Sequence, residues 1–173
     1  KFKPGRKLTV HYDARVRTRG RDIVRSVVVV WNSETGDVPG DPEIARLEAE
    51  AVAGGLAAPF RSLLARLPEL HVSIKVSPLD PKLPQLLRLC DPGHVAAILK
   101  DLLGATPRSG YRVSTVRYRP GERHVLRYDP ARTAPGGAVF AKLSRRDADA
   151  ARAFRLATRV ADWLDASRGT TRA

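Results

Sequence analysis

Arg119-Pro120-Gly121-Glu122 constrains this chain more than any other stretch. Pro presets φ for the first central position of a tight turn, and Gly supplies the positive φ that the second requires. On both sides β-branched and aromatic residues alternate with arginines, so the turn reads as a hairpin tip. Arg112 to Tyr118 leads in and Arg123 to Tyr128 returns. After a break at Pro135-Gly136-Gly137, Ala138 to Leu143 reads as a third antiparallel strand with one cation, Lys142. A helix is expected from about Asp147 to Ala166.

The same chemistry opens the chain. Lys1 to Asp13 aligns without gaps on Arg117 to Asp129, with Pro, Gly, Tyr and Asp coinciding. Read on without gaps, Ser26 falls at the position of Lys142; if the second unit handles nucleotide, the first has lost that cation and reads as a structural or gating cap. Val24 to Trp31 is a strand whose valine run, Val27 to Val30, suits burial on both faces. Glu34 to Asp37 closes it.

Asp41-Pro42-Glu43 then opens a helix with Ile44, Leu47 and Ala51 as its buried stripe. Phe60, Leu63, Leu64 and Leu67 follow as a second amphipathic turn, and His71 to Val76 alternates as a half-buried strand. Asp80-Pro81-Lys82-Leu83-Pro84 reads as an irregular crossing. Asp91-Pro92 caps a helix carrying Val95, Ile98, Leu99, Leu102 and Leu103, which ends at Gly104, and Ala105 to Gly110 reads as a linker. On the last helix Ala153, Leu156, Ala157, Val160, Trp163 and Leu164 form an apolar face, with Trp163 expected as a core anchor; the tail Ser167 to Ala173 should fray. The expected fold class is α+β. Two small units, residues 1–104 and 108–168, each pack helices on an antiparallel sheet.

Strand, tight hairpin, strand, strand with an internal Lys, then helix resembles the amino-terminal lobe of aminoglycoside phosphotransferase-like small-molecule kinases, especially bacterial ones with an extra domain in front. The resemblance covers about residues 108–168, and more loosely the front part through Asp80 to Pro84. It implies ATP and magnesium as cofactors and phosphoryl transfer to a small-molecule hydroxyl. It implies that Lys142 pairs with nucleotide phosphates and that Gly121, flanked by Arg119 and Arg123, covers them.

Two departures stand out. The last helix holds no Glu to position the Lys; Asp147 and Asp149 fall near its start, Asp162 and Asp165 near its end. The family's catalytic Asp, magnesium-binding Asp and acceptor pocket belong to a carboxyl-terminal lobe that has no counterpart in these residues. The chain alone is therefore expected to transfer no phosphate.

Charge leaves a rival open. A formal net charge of +13 favours phosphorylated ligands, nucleic acid or an acidic remainder of the protein. The arginines are spread along the chain and aromatics make up only 6%, whereas single-strand binders usually add stacking rings to a basic groove. A non-enzymatic basic module that binds nucleic acid or an acidic partner is the alternative to the nucleotide lobe.

Other chemistries are excluded or thin. One cysteine rules out an internal disulfide and a multi-Cys zinc site, and Cys90 reads as a small buried hydrophobe. His11, His71, His94 and His124 are scattered without metal-ligand spacing. Ser114 and His124 fall in neighbouring strands as ordinary strand residues. No apolar run approaches the roughly 20 residues a membrane helix needs, and the cytoplasm is the default compartment.

Overall fold

The two hairpin tips close alike, because the same Pro-Gly pair sits at the same two turn positions. Glu122 N–H donates to the Arg119 carbonyl at 3.0 Å with Gly121 at φ 67°. Arg6 N–H donates to the Lys3 carbonyl at 3.1 Å with Gly5 also at φ 67°. The computed structural model describes residues 2–18, 20–33, 41–104, 110–130 and 137–169. The expected strand end at Glu34 to Asp37, most of the linker, the break at Pro135-Gly136 and the extreme tail lie outside the described residues.

The protein is α+β. The first sheet holds β1 (Phe2–Lys3), β2 (Lys7–Thr18), β3 (Arg21–Asn32), β4 (Leu64–Leu67) and β5 (Val72–Val76), in the order β1-β2-β3-β5-β4, all antiparallel. The second holds β6 (Tyr111–Arg119), β7 (Arg123–Pro130) and β8 (Val139–Ser144), in sequence order and antiparallel. The helices are α1 (Pro42–Ala53), α2 (Leu86–Cys90), α3 (Pro92–Leu103) and α4 (Asp147–Gly169). Asp41 and Asp91 cap α1 and α3 as their Asp-Pro dipeptides predict, accepting from Glu43 N–H at 3.0 Å and Gly93 N–H at 2.9 Å.

β3 is covered on both faces, as its valine run predicts. Val27 packs with Leu47 and Ala51 of α1 and with Leu63, Val76 and Leu79. Val28, one residue on, joins Leu83, Leu86, Val95 and Leu99 with Tyr111, Tyr118, Leu126 and Tyr128 of the second sheet. The second cluster therefore fills the space between the two sheets, with α2 and α3 in it.

The structure corrects several expectations. Phe60 to Leu67 does not continue as a helical turn: Leu64–Leu67 is a strand on the outer edge of β5, where its N–H and C=O groups find ladder partners. Ser26 is not the counterpart of Lys142. Lys142 lies across from Val125, two residues past the hairpin tip; the same place in the first sheet is Thr9, which pairs with Val30. Ser26 instead donates to Asp13 Oδ1 at 2.6 Å. Trp163 is no core anchor but 67% exposed, with Phe154, Leu156 and Val160 also exposed. The inner face of the second sheet is already filled by α2 and α3, and among the described residues the main neighbour of α4 is β8.

Candidate anion-binding site

A β-bulge decides what the second sheet shows to solvent. Pairing slips between Thr115 and Arg117, and one extra residue reverses which face every later side chain of β6 takes. Tyr118 thereby turns inward with His124 and Leu143, while Arg117 and Arg119 turn outward. The outer face carries, strand by strand, Arg117 beside Val125 and Lys142, then Arg119 beside Arg123 and Ser144. Val139, Ala141 and Leu143 of β8 pack on the core, so alternation places Phe140 and Lys142 on the solvated side.

At the end of β8 this face deepens into an open-sided cavity of about 420 Å³ lined by Glu122, Arg123, Lys142, Ser144, Arg145, Arg146 and Asp149. Arg145 N–H donates to the Glu122 carbonyl at 2.9 Å, which ties the strand's end to the hairpin tip and forms one wall. The opposite wall is the first turn of α4, whose amide ends add positive potential. Four cations against two carboxylates line the space. Among the described residues none of the four is held in an ion pair. Such a cavity suits a multiply charged, oxygen-rich anion.

Of the four residues named from sequence, Lys142 and Arg123 meet in this cavity. Arg119 stands exposed in the adjoining row, beside Arg123 but outside the lining. Gly121 does something else with its backbone. Its N–H donates to Asp80 Oδ2 at 2.7 Å, away from the cavity, and a Cβ there would come within 2.9 Å of Lys82 Cδ.

Sequence reasoning missed Arg145, Arg146 and Ser144; their one signal is a dibasic pair directly before an acidic helix start. Asp149, placed by sequence too near the helix start to hold the Lys, lines the same cavity as Lys142. Asp80 was missed as an anchor. It is 6% exposed and accepts from Tyr118 Oη at 2.8 Å, Gly121 N–H at 2.7 Å and Lys82 N–H at 3.0 Å, so it fastens the hairpin tip to the first half of the chain.

The histidines are less scattered than their spacing implies. His124 stacks on Tyr118 with centroids 4.6 Å apart, and His11 meets the same ring edge-on at 5.3 Å. His124 also bonds Thr115 Oγ1 through Nε2 at 3.0 Å, whereas Ser114 lies on the outer face. Burial lowers the His124 pKa to about 4 and raises the Cys90 thiol to about 12, which favours the neutral imidazole and the protonated thiol at neutral pH. Among the described residues no three metal-type ligands converge and no helix is long and apolar enough to cross a membrane.

Compared with protein-family models, curated proteins and solved structures, the chain matches none.

Proposed function

We propose that this chain is the nucleotide-binding portion of an ATP-dependent phosphotransferase working in the cytoplasm on a small-molecule hydroxyl. One observation carries the proposal: Lys142, on a strand with its neighbours packed inward, shares a cavity with Arg123, Arg145 and Arg146. Lys142 and Arg123 hold the nucleotide's phosphate oxygens, and Arg145 and Arg146 close round them from the helix side. Asp149 lines the same cavity as Lys142.

The donor set fits phosphates and does not by itself form a closed metal site. Magnesium bound with the nucleotide would neutralise charge on the phosphate oxygens, and Glu122 and Asp149 are the two carboxylates that line the space. The carboxylates of the transfer step and the acceptor pocket are assigned to another lobe of the protein, so this chain binds nucleotide without turning it over.

Titration calorimetry of magnesium-ATP into the chain tests this. Replacing one charge-assisted contact by Lys142→Ala should weaken binding by roughly tenfold or more. Arg123→Ala should act in the same direction. Affinity unchanged by Lys142→Ala, in a variant with an unaltered circular dichroism spectrum, overturns the proposal.

A further inference from the structure

The positive charge of the second sheet runs well past the cavity. Arg112, Arg117, Arg119, Arg123, Arg127 and Lys142 all stand on the outer face; of the acids, Asp129 lies on the strands, where Arg127 engages it at 2.7 Å, and Glu122 and Asp149 line the cavity at the far end. From Arg112 to Arg119 the row spans the six paired steps between Asp129 and Arg123, about 20 Å at ~3.3 Å per residue, longer than the phosphate chain of one nucleotide. Neighbouring cations sit ~5 Å apart across strands and ~7 Å apart along them. Within the row lies an aromatic ring: Phe140 is 58% exposed, with the Arg127 guanidinium 5.8 Å from its centroid. An isolated exposed Phe means little. A ring standing between cations on a solvated sheet is the arrangement that receives an unpaired base while the phosphates run along the arginines.

From this we infer that the outer face of β6-β7-β8 binds single-stranded nucleic acid, with Phe140 stacking on a base and Arg117, Arg119 and Arg127 following the backbone. Charge complementarity selects a polyanion. The exposed ring selects one with unpaired bases over a duplex or an acidic protein segment. The bulge at Thr115–Arg117 builds the track, since without it both arginines would point into the core. Binding along this track is independent of the ATP proposal, which depends on Lys142.

The test is fluorescence anisotropy of a labelled oligothymidylate of about 12 nucleotides, a length within the footprints that such sheets cover, titrated with the intact chain at several salt concentrations. Binding should fall steeply with salt. Arg117→Ala with Arg119→Ala should reduce the log–log salt slope by roughly 1.4, at ~0.7 for each phosphate no longer neutralised. Phe140→Ala should weaken binding by roughly tenfold. As a control for overall charge, Arg152→Ala with Arg155→Ala on α4 removes two equal charges outside the track and should change little.

Three results would each overturn the inference: no binding at low salt, equal losses from the sheet and helix double variants, or competition by polyglutamate as strong as by unlabelled oligothymidylate. Circular dichroism of each variant shows that the fold persists; Phe140 and the arginines are on the surface, and their removal opens no cavity. Loss of ATP binding in Lys142→Ala with retained oligonucleotide binding would keep both proposals. Unchanged ATP binding in Lys142→Ala with retained oligonucleotide binding would remove the ATP proposal and keep this one.

Discussion

Asp80→Ala should destabilise the protein by about 3–5 kcal/mol. The carboxylate is buried and accepts three hydrogen bonds, two of them from donors with little access to water: Tyr118 Oη at 2.8 Å and Gly121 N–H at 2.7 Å. A hydrogen bond to a charged group contributes roughly 1.5–3 kcal/mol, and the donor left behind keeps its desolvation cost. Two such bonds sum to about 3–6 kcal/mol; the shared acceptor makes them non-additive and trims the upper end. The third donor, Lys82 N–H, belongs to an exposed residue and can turn to water. Lys75 adds to the loss, because burial already lowers its pKa and Asp80 is the group that opposes that shift. Against a total of about 5–15 kcal/mol for a domain, this is a large fraction.

Urea unfolding followed by circular dichroism measures the effect, read as a shift in midpoint at constant m. Tyr118→Phe removes one donor and should cost about 1–2 kcal/mol, so a double-mutant cycle should show a coupling near 1 kcal/mol or more. A loss below about 1 kcal/mol for Asp80→Ala would refute the assignment of this carboxylate as the fastening of the hairpin tip.

Two further outcomes are expected. Gly5→Ala and Gly121→Ala face the same backbone strain at φ 67°, but only Gly121 meets Lys82 at 2.9 Å, so thermal unfolding should show the second to be the more destabilising, with Gly5→Ala costing about 1–2 kcal/mol; equal losses would mean that Lys82 simply moves aside. For His124, burial lowers the pKa from 6.5 to about 4 in the folded chain, with Asp80 opposing and His11 adding to the shift. The unfolded chain takes the proton first, so this contribution is full above pH 6.5 and is lost as pH falls towards 4, amounting to at most about 3 kcal/mol. His124→Phe should flatten that part of the stability–pH curve, and an unchanged curve would contradict it.

What the sequence made legible was local. The Pro-Gly pairs specify both turns through their own backbone preferences, and the Asp-Pro pairs specify both caps. Val27 to Val30 suits a strand buried on both faces because such strands read as continuous apolar runs where half-solvated ones alternate. Leu63, Leu64 and Leu67 were ambiguous, since so short an apolar run fits either period, and the free edge of β5 decided the matter. Asp80 was illegible because its partners lie 38 and 41 residues away. The outer arginine row was hidden for a subtler reason. Strict alternation along Tyr111 to Arg119 assigns Arg117 and Arg119 the wrong face, and a bulge of one residue, which leaves no mark in composition, corrects it.

The alternation of β3 has one more consequence. Val27 belongs to the packing around α1 and Val28 to the packing beneath the second sheet, so one strand serves as a party wall between two rooms. A chain cut after Gly104 would bare Val28, Leu83, Leu86, Val95 and Leu99 to water on one side. Whatever history joined two similar hairpins, the first half as it stands cannot be lifted out clean.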